Sequence, residues 1–350
     1  VCSGIEAARG PKPAPELAIT RPGHDAPAAI TRCFADIQSE RLLWLWSGRI
    51  PLGKVSLLVG DPGLGKSLVT LALAAAVSKG APWPIRSEGA AFCGDVLLVS
   101  AEDDAGDTIR PRLEAADADL RRVHILDGIP EEDDTGRSYT RPWTLADWPA
   151  LDEKLAELPE CRLLVIDPVS AYLAGADSHV NAIVRQVLAP LADLAARRKV
   201  AVLAVSHLNK SVGPAMYRTT GSLAFVAAAR AVWAVAKDKE NPARRLVLPV
   251  KANLAPDATG LAYRIGTRDG TPVVEWEPEP VTVDVDEALS RETDPADRTE
   301  RDEAASWLRE LLADGAMPAK DVRRHADAAG LAWRTVQRAK DALGIKPTKT

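Results

Sequence analysis

Apolar positions along this chain fall into short unbroken runs, separated by longer stretches whose apolar residues recur with helical spacing. VSLLV at 55–59, DVLLVS at 95–100, RLLVID at 162–167 and VAVLAVS at 200–206 are apolar almost throughout. Alternation would mark strands with one wet face, whereas continuous runs mark strands covered on both. Between them, KSLVTLALAAAVSKG at 66–80 and residues 107–122, 144–158 and 180–198 read as helices. Leu113, Ala116 and Leu120 share one face of the second, Thr144 caps the third, and Pro190 interrupts the last. VHIL at 123–126 reads as a short strand. GSLAFVAAARAVWAV at 221–235 reads as a further helix, and RRLVLPVK, LAYRIG and VVEW as two or three further strands. Strands alternating with helices predict an α/β chain on a mainly parallel sheet.

The pattern changes at both ends. Residues 1–38 are rich in Pro, Ala and Gly without lasting periodicity, which predicts a disordered arm or linker. The main α/β domain is expected over 39–280, with a polar surface loop at 128–142, and an acidic, Pro-containing linker over 281–300. Residues 301–350 carry three short helical patterns, and Trp307, Leu308, Leu311, Val322, Ala326, Leu331, Val336, Ala339 and Leu343 would form one small core.

Composition adds bounds. With 350 residues, 46% hydrophobic and 27% charged, the chain has room for a large domain and a small one. Four cysteines lack C-x-x-C spacing, which suggests neither zinc nor a disulfide framework and fits a reducing cytoplasm. No apolar run approaches a membrane span, and the start lacks a continuous apolar leader core, so no membrane partner is expected. The net charge of −5 does not mark a nucleic-acid binder, but a protein in which only a few loops face phosphate need not be basic overall.

The chemistry centres on Gly60-Asp61-Pro62-Gly63-Leu64-Gly65-Lys66-Ser67, between a strand and a helix. Glycines let backbone N–H groups converge on phosphate oxygens, and the helix start at Lys66, Ser67 and Leu68 adds positive potential. Lys66 reaches the β/γ-phosphates, and the Ser67 hydroxyl ligates Mg²⁺. A stray strand–turn–helix corner is the plain alternative, and the flanking strand and helix argue against it. The pattern predicts a site for ATP with Mg²⁺.

Asp167 ends the strand RLLVID, where a carboxylate holds the metal directly or through water. Glu102 stands where DVLLVS runs out into Ala101-Glu102-Asp103-Asp104, and in a parallel sheet it reaches the same edge, as a base for the attacking water requires. The alternative makes Glu102, Asp103 and Asp104 helix N-terminal acids. His207 ends the strand after Asp167, either as a buried structural histidine or as a sensor of the γ-phosphate that signals to the loop 209–220. Trp44 and Trp46 precede the phosphate loop and serve adenine stacking or, as expected here, core packing.

GDPGLGKS, VSAEDD, LLVIDP, AVSHLNK, GSLAFVAAAR and VKAN in this order resemble the RepA-like hexameric ATPases and helicases of the RecA/DnaB group, encoded by plasmids, phages and actinobacterial mobile elements. The likeness covers roughly residues 40–280 and implies a RecA-like P-loop fold, a homo-oligomeric ring with ATP between subunits, and Glu102 as catalytic carboxylate. It also implies single-stranded DNA in the channel, met by loops at 170–180 and 209–220, where Lys210 and Arg218 would contact phosphate or stand solvated. Arg230 and Lys251 match positions that supply a cation to the neighbouring subunit's site. The K-x-R-N-G run of DnaB is here Lys251-Ala252-Asn253, so an intramolecular ion pair is the alternative for Arg230. The last three helices resemble a helix-turn-helix or winged-helix unit, with Gly330 in the turn and Arg334, Arg338 and Lys340 on or beside an exposed face, for duplex DNA or as solvated groups.

Overall fold

The computed structural model describes residues 31–173, 181–208, 223–255, 258–290, 295–312, 315 and 317–345. The chain divides into two units, 1–41 and 42–350. In the first, the described residues hold one 3-10 turn at Phe34–Asp36, on which Phe34 is exposed. The second unit carries every other described element.

It opens with a small antiparallel pair, β1 (Trp44–Trp46) and β2 (Ile50–Pro51). A nine-stranded sheet follows, built from β3 (Val55–Gly60), β4 (Asp95–Ser100), β5 (Val123–Ile125), β8 (Cys161–Asp167), β9 (Ala201–His207), β10 (Ala231–Lys237), β11 (Arg244–Ala252), β12 (Leu261–Arg268) and β13 (Thr271–Trp276). Its order is β13-β12-β11-β10-β3-β9-β8-β4-β5. The pairs from β10 across to β5 are parallel, and those joining β10, β11, β12 and β13 are antiparallel. The remaining strands, β6 (Ile129–Glu132) and β7 (Ser138–Arg141), pair only with each other. An α/β fold on a mostly parallel sheet is what the continuous apolar runs predicted.

The reason for unbroken runs is visible in the core. Leu57 and Val59 of β3 face one apolar layer, together with Leu97 of β4, Leu164 of β8 and Val202 of β9. Leu58, Leu98, Leu163, Val165 and Leu203 face the other. Successive side chains point to opposite faces, so a strand covered twice must be apolar at every position. The first layer is closed by α3 (Trp148–Glu157) and α4 (Asn181–Arg198), through Leu151, Leu155, Leu191 and Leu194. The second is closed by α1 (Lys66–Lys79), with Val69, Leu73 and Val77, and by α2 (Arg110–Ala115). The sheet curls so that β13 also lies against α1 and α2.

Several expectations need correction. The helix expected over 221–235 is only α5 (Leu223–Ala228), and the AVWAV portion belongs to β10, beside β3 in the middle of the sheet. Alanine is neutral enough to follow its surroundings, and Val232, Trp233 and Val235 fill both apolar layers. The helix expected over 107–122 is a π-turn at Ala105–Ile109 followed by α2, which stops before Asp117 at φ 62°. The polar loop expected at 128–142 is the hairpin β6–β7, whose turn is held by the Asp133 carboxylate accepting from Thr135 and Arg137 N–H groups. Pro190 does not divide α4, which runs through it.

Part of the stretch expected as a linker is packed instead. Val281 joins Leu246, Leu248 and Ala262, and Leu289 on α6 (Val285–Leu289) enters the main core. Three helices follow, α7 (Pro295–Leu311), α8 (Ala319–Ala328) and α9 (Trp333–Ala342). Ala304, Leu308, Ala326, Val336 and Ala339 form their common core, close to the set read from the sequence. Gly330 lies at φ 71° in the turn between α8 and α9.

Candidate nucleotide-binding site

The loop Gly60–Ser67 leaves β3 at the carboxyl edge of the sheet and enters α1. Gly60 must lack a side chain, since a Cβ there would meet Val235 O at 2.8 Å. Gly63 and Gly65 stand at φ 75° and 89°, a region open to glycine at little cost. Asp61, Pro62 and Gly63 are exposed at the tip, whereas Leu64 is buried. The first bond of the α1 ladder runs from Val69 N to Gly65 O at 2.9 Å, so the N–H groups of Lys66, Ser67 and Leu68 precede it. Gly65 as N-cap offers no side-chain acceptor to them. A helix start capped by no side chain is a ready anion site.

Lys66 is almost completely buried, at 5% exposure. Its Nζ donates to Gly60 O and Asp61 O at 3.0 Å each, and lies 3.2 Å from His207 Nδ1. Burial pushes its ammonium below the ordinary lysine range, and the Asp167, Asp61 and Glu102 carboxylates oppose that fall. His207 follows from register: it pairs with Gly60 at the tip of β9. Its other nitrogen, Nε2, is 3.8 Å from Glu102 Oε1. Glu102 stands just past Ser100, which pairs with Asp167. Three strand tips and the loop thus bring Lys66, His207, Glu102 and Asp167 to one edge.

Burial also pushes the Asp167 carboxyl above the usual carboxylate range, while a hydrogen bond from Ser67 and the charge of Lys66 draw it down. A cavity of about 20 Å³ lies beside Ser67, Asp103 and Asp167, roughly the room one water-sized sphere needs. Hydroxyl and carboxylate oxygens are hard ligands, and Mg²⁺ completes its shell with waters and phosphate oxygens. The residues therefore fit Mg²⁺. Among the described residues no cluster of three or more His, Cys, Asp or Glu offers a separate all-protein metal centre.

The other acids divide. Asp104 caps the π-turn by accepting from Gly106 N and Asp107 N, which is the helix-start role considered for it. Asp103 instead lines the cavity and is ion-paired to Arg112 at 2.8 Å. Trp46 is a core residue: it stacks on Trp83 at 4.4 Å and donates to Glu88.

Arg230 and Lys251 lie elsewhere. Ala231 pairs with Ser56 and Val232 with Lys251, so both cations sit toward the amino edge of β3, away from this chain's own phosphate loop. Lys251 Nζ donates to Val226 O at 2.8 Å and Ala229 O at 2.9 Å, closing the end of α5. Burial, and then Arg230, lower its pKa from the ordinary lysine value. Arg230 is exposed. Arg334 is exposed on α9, while Lys210, Arg218 and the Arg338 side chain lie outside the described residues.

One contributor had no local signal. Tyr263 of β12, fully buried, donates its hydroxyl to Leu64 O at 2.7 Å. A tyrosine inside an apolar strand asks for a partner, but nothing nearby in sequence names it.

Fold and edge geometry define a RecA-like P-loop nucleoside triphosphatase. A family model described as an AAA domain matches residues 28–213, just over half of the chain, and the chain belongs to that family. No curated protein matches it. Nucleotide-dependent activity, typically with Mg²⁺, follows from that membership. Among the described residues no helix is long and apolar enough to cross a membrane.

Proposed function

We propose that this chain is an ATP-hydrolysing motor of the RepA-like type, which assembles as a hexameric ring and moves along single-stranded DNA in the replication of a mobile element. The observation that carries the reading is the chain of contacts from Lys66 through His207 to Glu102 across the strand tips. In this mechanism the loop amides and Lys66 hold the β- and γ-phosphates, and Ser67 and Asp167 hold the metal. Mg²⁺ supplies charge neutralisation at the phosphate oxygens. Glu102 accepts a proton from water as its oxygen attacks the γ-phosphorus and the bond to the ADP oxygen breaks. Glu102 is 60% exposed, which leaves it open to water. When Lys66 turns to phosphate, His207 loses that neighbour, and it stands directly before the segment bearing Lys210 and Arg218. This supports coupling between nucleotide state and a DNA-facing loop.

Arg230, exposed and remote from its own phosphate loop, would act only in the site of a second copy. The Lys251 ammonium would have to leave the end of α5 to do the same. ATPase assays with and without single-stranded DNA, joined to a strand-displacement assay, test the proposal. Stimulated turnover with displacement is expected. No stimulation and no displacement would remove the motor and leave the ATPase.

A second reading, favoured by the three-helix unit and the exposed Arg334, is a nucleotide-switched regulator that binds duplex DNA through α8 and α9. Deleting residues 301–350 separates the two: the motor keeps strand displacement, and the regulator loses all DNA activity. A RecA-like recombination filament is distinguished from a closed ring by electron microscopy.

A further inference from the structure

The antiparallel end of the sheet reaches back onto the phosphate loop. β12 is three strands away from β3. Nevertheless Tyr263 Oη donates to Leu64 O at 2.7 Å, and a Cβ on Gly65 would lie 3.0 Å from Ile265 Cδ1 and 3.6 Å from Tyr263 Oη. The Tyr263 ring is fixed in turn against Trp276, with centroids 5.4 Å apart. We propose that Tyr263 is a positioning residue for nucleotide, clamping the rear of the phosphate loop with Ile265 beside it. The antiparallel extension, which lies beyond the matched AAA residues, is thereby part of the site.

The physical reason is the planarity of one peptide. The Leu64 carbonyl and the Gly65 N–H belong to the same trans peptide unit and point in opposite directions. Pinning the carbonyl from behind therefore aims the Gly65 N–H forward, into the loop's concave side. Leu64 sits between Gly63 and Gly65, both at positive φ, where the backbone has the most freedom to lose. The buried Leu64 side chain supplies one anchor, and the Tyr263 hydroxyl supplies the second.

The clamp rests on the nucleotide-site reading, and its test keeps the two apart. Mg-ADP and Mg-ATP are titrated calorimetrically onto the full chain, as wild type, Tyr263→Phe and Ile265→Val. Amide hydrogen exchange over residues 63–66 is measured on the same samples without nucleotide. Tyr263→Phe keeps the ring packing and is expected to weaken both nucleotides about fivefold, the worth of one net hydrogen bond. It should also speed exchange in 63–66 while the central strands stay protected. Ile265→Val, a smaller change, should weaken binding about twofold. Unchanged exchange in 63–66 in the Tyr263→Phe chain overturns the clamp, whether or not nucleotide binds. Unchanged affinity beside a lowered unfolding midpoint also overturns it, by reducing Tyr263 to a core residue. Failure of wild type to bind either nucleotide would refute the site reading instead, with the exchange result still deciding the clamp.

Discussion

Replacing Lys66 with methionine separates what the ligand needs from what the fold needs. Lys66 is buried at 5% exposure, and burial already lowers the pKa of its ammonium. Methionine keeps the stem volume and removes the desolvated charge, so the nucleotide-free chain should unfold at the wild-type temperature or slightly above it. The ligand suffers instead. A charge-assisted hydrogen bond contributes about 1.5–3 kcal/mol, and under the proposed mechanism Lys66 would offer one or two of them to the phosphates. A loss of about 3 kcal/mol is roughly a hundredfold in affinity. At a nucleotide concentration near 100 times the wild-type Kd, binding stabilises wild type by about 2.7 kcal/mol, a rise of roughly 5–10 °C for a domain of this size. The variant at the same concentration sits near its own Kd, gains about 0.4 kcal/mol and shifts by about 1 °C. Thermal unfolding with and without a non-hydrolysable Mg-ATP analogue reads both halves. A variant that keeps the full nucleotide-induced shift would refute the placement of the phosphates, and one whose nucleotide-free midpoint falls by many degrees would refute the stability half.

Three further outcomes are expected. Glu102→Gln should bind Mg-ATP as wild type does and hydrolyse it roughly 10²- to 10⁴-fold more slowly in a phosphate-release assay; normal turnover would remove Glu102 as the base. Arg49→Met should cost about 3 kcal/mol in urea unfolding, because Arg49 is buried between Trp46 and Trp233 and pairs with Glu88 at 2.7 Å. Adding Glu88→Gln should then cost little more, since the charge left behind is gone. Asp147→Asn should destabilise by about 1 kcal/mol at neutral pH, because Arg141 and then Thr144 hold the Asp147 carboxyl well below the usual carboxylate range. That contribution is present above the unfolded pKa near 4 and is lost as pH falls through the folded one. The gap between wild type and variant should therefore close in acid, as denaturation curves at several pH values would show.

What could be read beforehand followed from how local each cause is. The loop from Gly60 to Ser67 was legible because its glycines, lysine and serine act within eight positions, and the flanking apolar runs fix strand and helix. The placement of Asp167, Glu102 and His207 was legible one step later, since each ends or closely follows a buried parallel strand and such strands share a carboxyl edge. The β10 strand was hidden because Ala231, Ala234 and Ala236 suit a helix equally well, and only the empty place beside β3 decides. Tyr263 was not legible at all. Its partner is 199 residues away, and the contact needs the curl that lays β13 against α1 and β12 against the phosphate loop. A trace of that curl was available: KSLVTLALAAAV is apolar around most of its circumference, as a helix covered on two sides must be.

The central claim is that one helix start, one lysine, the Ser67 hydroxyl and the strand-end carboxylate of Asp167 hold a magnesium-bound triphosphate. Calorimetric titration of a non-hydrolysable ATP analogue onto the full chain, with Mg²⁺ and then with a chelator, addresses it most directly. One saturable site per chain, with a Kd of about 10 μM or tighter that weakens at least tenfold on chelation, is the expected result. No saturable heat in either condition would contradict it.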